Sequence, residues 1–241
     1  MIADGFFDRF PMDAIYGIHN MPGLPVGNFA TRAGGIMASE DNFVIHIKGR
    51  GGHASSPHRV IDPLVIGATI VLALQTIVAR SVDPQTPAVV SCTEFITDGI
   101  RNAIPSNVII KGDTRSYSPA VQALLEQRMR AICAGICASY GAECVVEYTH
   151  EFSPTVNPPT HLPVALAAAT AVVGAERVND SVAPLMGSED FGLFLQHVPG
   201  NFIFIGNGDS LPLHNAGYVF DDDMLPIGAE YLANLVMMSR S

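Results

Sequence analysis

The chain predicts an α/β fold in two parts, with a βαββαβ unit inserted into a second α/β layer. Three observations carry this. Between residues 36 and 151, apolar alternation and helical periodicity follow one another as strand, helix, strand, strand, helix, strand. Gly34-Gly35 and the proline-rich stretch Ser153-Pro154-Thr155-Val156-Asn157-Pro158-Pro159 punctuate the chain on either side of that block. Both flanks, 1–33 and 152–241, carry strand and helix patterns of their own and are read together as one interrupted domain.

Residues 1–14 read as the end of a helix and a connection, because Pro11 cannot continue a helix and restricts Phe10 before it. Ala14 to Ile18 is a short apolar strand that ends at His19-Asn20, and Met21 to Gly27 is a loop by composition. Ser39 to Lys48 alternates as a half-buried strand, and a glycine loop with His53 follows it. Asp62-Pro63 opens a helix that runs to Arg80. Ala88 to Ile96 and Asn107 to Tyr117 are the second and third strands. The second helix opens at Ser118 with proline behind it and closes at Gly141. Glu143 to Tyr148 is the fourth strand. A unit of this order folds a four-stranded sheet with both helices on one face. In the last third, His161 to Val173 is an Ala-rich helix, Ser188 caps a helix with Glu189 and Asp190 in its first turn, and Asn201 to Ile205 is a buried strand. Asp209 to Ala216 is a loop, and an amphipathic helix from Asp223 to Ser239 closes the chain.

With 241 residues, 48% of them hydrophobic and 15% charged, there is room for one large domain or two ordinary ones around a real core. A net charge of -10 argues against a nucleic-acid surface, which needs clustered Lys and Arg, and suits small-molecule partners or copies of the chain itself. Val65 to Val78 is the longest apolar run. Thr69, Gln75 and Thr76 interrupt it, so it is read as shorter than the roughly 18 residues of a membrane span. The N-terminus lacks the basic start and cleavage site of a signal peptide, so a cytoplasmic protein with no membrane partner is expected. Of the four cysteines, Cys92, Cys133, Cys137 and Cys144, Cys133 and Cys137 lie on one helix face; that spacing could bind metal but lacks a matching second pair, so the two are read as buried free thiols.

A few side chains stand where chemistry is done. His53 follows Gly49, Gly51 and Gly52, which free the backbone to present it; the same stretch reads equally as a tight turn with a solvated histidine. His19 and His214 are each followed by asparagine and stand beyond apolar segments. A neutral imidazole is the commonest zinc-type ligand, and two such histidines from the two flanks could meet at one site. Each alone reads as a loop histidine held by a nearby carbonyl. Glu189 and Asp190 complement a helix dipole or stand near a metal. Arg115 could clamp a carboxylate bidentately or cap a sheet in solvent, and Asn102 could hold a carbonyl oxygen or form an Asx-turn. His46, His58, His150, His161 and His197 are read as structural. No nucleophile elbow and no phosphate loop is present.

Six stretches taken together resemble the M20 metallopeptidase family in its amidohydrolase branch, the branch of hippurate hydrolases and of N-acyl and indole-acetyl amino acid hydrolases. They are Gly17-Ile18-His19-Asn20, Lys48 to Ala54, Asn102-Ala103-Ile104-Pro105, Gly112-Asp113-Thr114-Arg115, Gly187-Ser188-Glu189-Asp190-Phe191 and Leu213-His214-Asn215, in the family's order over essentially the whole chain. The resemblance implies an α/β/α catalytic domain (1–33 and 152–241) interrupted by a ferredoxin-like lid and dimerisation domain (36–151). It implies two divalent metals per full-length subunit (Zn, Mn, Co or Ni), a homodimer and an N-acyl amino acid as substrate. His19 and His214 then resemble metal ligands, and His53 the lid histidine that reaches a neighbouring subunit's site and polarises the scissile carbonyl. Asn102 and Arg115 look like lid residues that hold the substrate's polar end, and Glu189 like an acid near the site, grouped with them as substrate-binding. The family's Cys-Gly-His-Asp segment and Glu-Glu pair have no counterpart here. The resemblance therefore implies an incomplete catalytic domain lacking its N-terminal third and a chain inactive alone. The other reading is a non-catalytic truncated paralogue or fragment that dimerises through the lid.

Overall fold

A computed structural model describes residues 1–238. Its strands are Ile15–Met21 (β1), Phe29–Ala30 (β2), Gly34–Met37 (β3), Glu40–Lys48 (β4), Gly52–His53 (β5) and Ala88–Thr97 (β6). Ala103–Ile104 (β7), Asn107–Ser116 (β8), Glu143–Phe152 (β9), Thr155–Asn157 (β10), Val178–Asn179 (β11) and Gly200–Gly206 (β12) complete them. The α-helices are Phe6–Arg9 (α1), Pro63–Arg80 (α2), Pro119–Tyr140 (α3), Leu162–Val173 (α4), Phe191–Leu195 (α5) and Met224–Met238 (α6). The expected end of α6 at Ser239 lies outside the described residues. The chain divides into two compact units. The inserted unit is Ala38–Pro154 with Met186–Ser188; the flanking unit is Met1–Met37, Thr155–Leu185 and Glu189–Ser241.

The main sheet of the inserted unit is antiparallel, in the order β6-β8-β4-β9. The period of two along β4 turns Phe43, Ile45 and Ile47 to one face. On that face they meet Ile66, Ile70, Leu74 and Ile77 of α2 and Leu125, Met129, Cys133 and Cys137 of α3 in one core. Both helices show the three- and four-residue spacing that makes one apolar stripe. At the start of α2 the Asp62 carboxylate accepts the Leu64 N–H at 2.9 Å. Ser118 precedes α3 without a side-chain capping bond. The expectation that no apolar run is long enough for a bilayer fails on length: α2 has 18 residues and the composition of a span. Ile66, Ile70, Leu74 and Ile77 are buried under the sheet, so this helix spends its apolar stripe on a protein core.

The flanking unit has a sheet in the order β1-β12-β2-β11. β12 is buried along its whole length, lying parallel to β1 and antiparallel to β2. On one face Ile203 and Ile205 pack with Ala168 and Ala169 of α4 and Met224, Tyr231 and Leu235 of α6. On the other, Phe202 and Phe204 pack with Ala30, Ile36 and Phe191. Asn157 ties this face together: its Oδ1 accepts the Phe202 N–H at 2.7 Å, and its Nδ2 donates to the Phe202 carbonyl at 2.9 Å. β1 ends the sheet; among the described residues no strand pairs with its outer edge.

Candidate functional site

β1 is longer than the sequence predicts and carries His19 and Asn20 inside the strand. Tyr16 and Ile18 face the α4–α6 core, so alternation turns Gly17 and His19 to the opposite side. There Phe191 of α5 lies so close to Gly17 that a Cβ would sit 2.8 Å from its ring. Glycine at 17 is what lets α5 settle on the strand. This brings Glu189, just before α5, to 3.8 Å from His19 Nε2. His19 Nδ1 is 2.6 Å from the Asn20 carbonyl, to which it donates, and this turns Nε2 toward Glu189. Glu189 accepts the backbone N–H of Asp190 at 2.9 Å and of Phe191 at 3.4 Å. Burial raises its carboxyl above the ordinary value, the neighbouring Asp190 adds to this, and His19 partly offsets it.

His214 occupies an exposed turn and, among the described residues, is the non-glycine residue with a left-handed backbone, φ 66°. The loop around it hangs on two asparagines. Asn207, buried at the end of β12, donates to Ser210 Oγ at 2.8 Å and to the Val219 carbonyl at 2.9 Å, and accepts the Asp221 N–H at 2.9 Å. Asn20 holds the Tyr218 hydroxyl. Among the described residues no group of three or more His, Cys, Asp or Glu side chains is placed to hold a metal ion. His19 and Glu189 are a pair of donors, and His214 does not join them in such a group. Tetrahedral sites take three or four protein ligands, so the donors among the described residues do not by themselves fit the metals the resemblance implies. A groove of about 400 Å³ lies between the β1 end and α6, lined by Ile18, Asn20, Phe220, Met224, Leu225 and Leu232 among others.

In the inserted unit His53 lies on a two-stranded ribbon, β5 paired with β7, with His53 opposite Ala103. The ribbon is possible because the backbone of Gly51 runs against that of β7: a Cβ there would sit 2.5 Å from the Ile104 carbonyl oxygen. The Ser55 N–H donates to His53 Nδ1 at 3.2 Å, which places the ring proton on the exposed Nε2. The Ala54 N–H donates to the Asn102 carbonyl at 3.0 Å. His53 and Asn102 are thus neighbours on one ribbon.

Arg115 is elsewhere. It stands at the far end of β8, eight residues beyond Asn107, or roughly 26 Å at ~3.3 Å per residue. The ribbon sits at the Asn107 end, where the Gly49 N–H reaches the Ser106 carbonyl at 2.9 Å. Arg115 is already paired: Nε lies 2.6 Å from Asp113 and Nη1 3.1 Å from Glu40. The Ser188 hydroxyl also donates to Glu40. Ser188, expected as a helix cap, serves this cluster instead; Asp190 holds the cap position of α5. Sequence reasoning missed Asp113 and Glu40 as partners of Arg115, and it missed Asn207. Its Gly-Asn-Gly setting after a buried strand was the available signal.

Residues 1–238 match the model of Peptidase family M20/M25/M40. The chain is 35% identical to a hippurate hydrolase of Campylobacter jejuni, over 98% of its own length and 62% of the relative's. It is 34% identical to an N-acetylcysteine deacetylase of Bacillus subtilis, over 94% of its length and 59% of the relative's. Among solved structures, a Bacillus subtilis protein described as a dinuclear metal binding peptidase of the M20 family superposes with a TM-score of 0.80 at 28% identity, over 99% of this chain and 60% of that one. The chain thus spans about three fifths of the length of these relatives. A family match along the described length, on a mixed α/β fold that this M20 structure shares, makes the chain a member of peptidase family M20/M25/M40.

Proposed function

We propose that the whole protein hydrolyses the amide bond of N-acyl amino acids of the hippurate type, with the inserted units of two copies each contributing groups to one substrate site. The observation that carries this reading is the separation of roughly 26 Å between the ends of β8. His53 and Asn102 stand at one end and Arg115 at the other, too far apart to share one small substrate within a single unit. Two copies arranged head to tail let the ribbon of one meet the Arg115 end of the other. At such a site the His53 Nε2–H donates to the scissile carbonyl oxygen, where negative charge develops, and the Asn102 amide adds a second donor. Arg115 turns its remaining N–H groups to the amino acid carboxylate. Glu40 and Asp113 hold the guanidinium in place and also set a limit, because two carboxylates around one cation weaken its pull on a third. Exposed Leu64, Val65 and Leu72 of α2 and Phe95 and Ile96 of the edge strand β6 offer the apolar surface for a homodimer. In this reading the inserted unit is lid and dimerisation domain, the flanking unit the catalytic domain. His19, His214 and Glu189 contribute to a site for two divalent metals (Zn, Mn, Co or Ni) that takes further ligands from outside the described residues.

One observation favours a second reading. Among the described residues no three potential ligands converge. A chain with these donors alone is a non-catalytic relative that dimerises through its lid. Calorimetric titration with Mn or Co, followed by an assay on benzoylglycine, separates the two. Uptake of two equivalents with chelator-sensitive hydrolysis supports catalysis by this chain. No uptake and no turnover supports the non-catalytic reading for this chain, and assigns the hydrolysis to a longer protein.

A further inference from the structure

Four cysteines that the proposed hydrolysis does not use gather around the core of the inserted unit. Cys133 and Cys137 are one turn apart on α3 and are 0% and 1% exposed. Cys144 lies on β9, opposite Ile47 of β4, so its side chain turns to the same face as Ile47 and meets α3. The chain folds back directly after α3, the Ala142 N–H donating to the Cys137 carbonyl at 2.9 Å, which returns Cys144 alongside the last turns of the helix. Cys144 is half-buried, and β9 is an edge strand, so this sulfur is approached along the open edge of the sheet. Cys92 is on β6 at the opposite edge, three strand spacings or roughly 14 Å across the sheet from β9.

We propose that Cys144 and an α3 thiol, Cys133 or Cys137, form a reversible intramolecular disulfide site whose co-substrate is a low-molecular-weight disulfide. The Cys144 thiolate attacks one sulfur of the small disulfide, forming a mixed disulfide and releasing one small thiolate. The α3 thiol then gives its proton to solvent and attacks the Cys144 sulfur, forming the internal bond and expelling the second small thiolate. Two electrons pass from the protein dithiol to the small disulfide, and two small thiols leave. The arrangement assigns the roles. Hydrogen bonds from Cys133 and Cys137 hold the Cys144 thiol down to about 7, with burial opposing them, so it is the one ionised near neutrality. The Cys133 thiol is pushed up by its bond to Cys144 and by burial, and the Cys137 thiol is pushed up chiefly by burial. The half-buried member is therefore the attacking sulfur and a fully buried member the resolving one.

The test uses the full chain, folded, at neutral pH with oxidised glutathione. Intact mass should fall by two hydrogens, and a non-reducing peptide map should join the α3 peptide to the one holding Cys144; dithiothreitol should reverse both. Native alkylation by iodoacetamide should run on the order of tenfold faster at Cys144 than at Cys92. Cys144→Ser should abolish the cross-link, and Cys92→Ser should keep it. The double variant Cys133→Ala, Cys137→Ala should stop at a single glutathione adduct on Cys144, and its circular dichroism melt shows that it folds. Four free thiols after treatment overturn the proposal, as does a wild-type product joined through Cys92 or held as a lasting glutathione adduct.

Discussion

The two units solve the same problem with unequal means. The inserted unit has four long strands, each nine or ten residues, under two helices of 18 and 22 residues. Its core closes on itself. The flanking unit has one long strand buried throughout, β12, and on one side of it β2 and then β11 are two residues long. Its β1 edge is unpaired among the described residues, and an apolar groove opens beside it. Regular periodic elements stabilise the first unit. In the second, a few polar side chains do what longer strands would otherwise do.

That contrast can be broken or sharpened in four ways. The largest effect is expected in the inserted core: Phe43→Ala should cost about 3–5 kcal/mol, read from the denaturant midpoint. A cost below about 1 kcal/mol would show that this core does not anchor its unit. Next is the flanking unit. Asn157→Ala leaves the buried Phe202 N–H and carbonyl without their partner and should cost about 1–3 kcal/mol. An unchanged midpoint would mean that water replaces the amide.

A smaller effect is a dependence on pH confined to the inserted unit. His150 lies 2.5 Å from the buried Asp41 and 3.1 Å from Glu126. Burial alone would pull its imidazole down, but the bonds to Asp41 and Glu126 outweigh that and hold it above its ordinary 6.5. A group raised on folding stabilises fully below its ordinary value and loses that contribution as pH climbs through the raised one. The melting temperature should therefore fall between neutral and mildly alkaline pH, and His150→Ala should flatten the profile. An identical slope in the variant would refute this. The smallest expected effect on stability, within about 0.5 kcal/mol, is from Leu72→Lys on the outer face of α2. The same change should shift the chain toward monomer in sedimentation; an unaltered dimer would place the interface elsewhere.

How much of this is legible in the sequence follows the same division. Pro63 to Arg80 and the helix behind Ser118 are plain, because local periodicity and turn chemistry specify them. The β4, β8 and β9 alternations are equally so. β2, β11 and the β3–β10 ribbon are not, because two to four residues carry no clear period and their partners lie far along the chain. Among site residues, Glu189 reads as a helix-start acid, and it does bind the first N–H groups of α5. Its approach to His19 depends on a parallel pairing between segments about 180 residues apart, which no local pattern announces. His150 reads only as structural; its role in the Asp41 network turns on a register 109 residues long. Ser188 reads as a cap, yet its hydroxyl goes to Glu40, 148 residues away.

β8 has a mechanical consequence. It is hydrogen-bonded on both sides, to β4 and to β6, over nearly its whole length, with one bulge between Cys92 and Glu94 of β6, so bending it locally would cost ladder bonds. It behaves as a lever arm: a rotation of about 10° about the Arg115 end would sweep the far end through about 4–5 Å at this strand length. A hydrogen bond fails over much less than that. Small angular changes at one end are thus enough to engage or release the polar groups at the other, with no rearrangement inside the sheet.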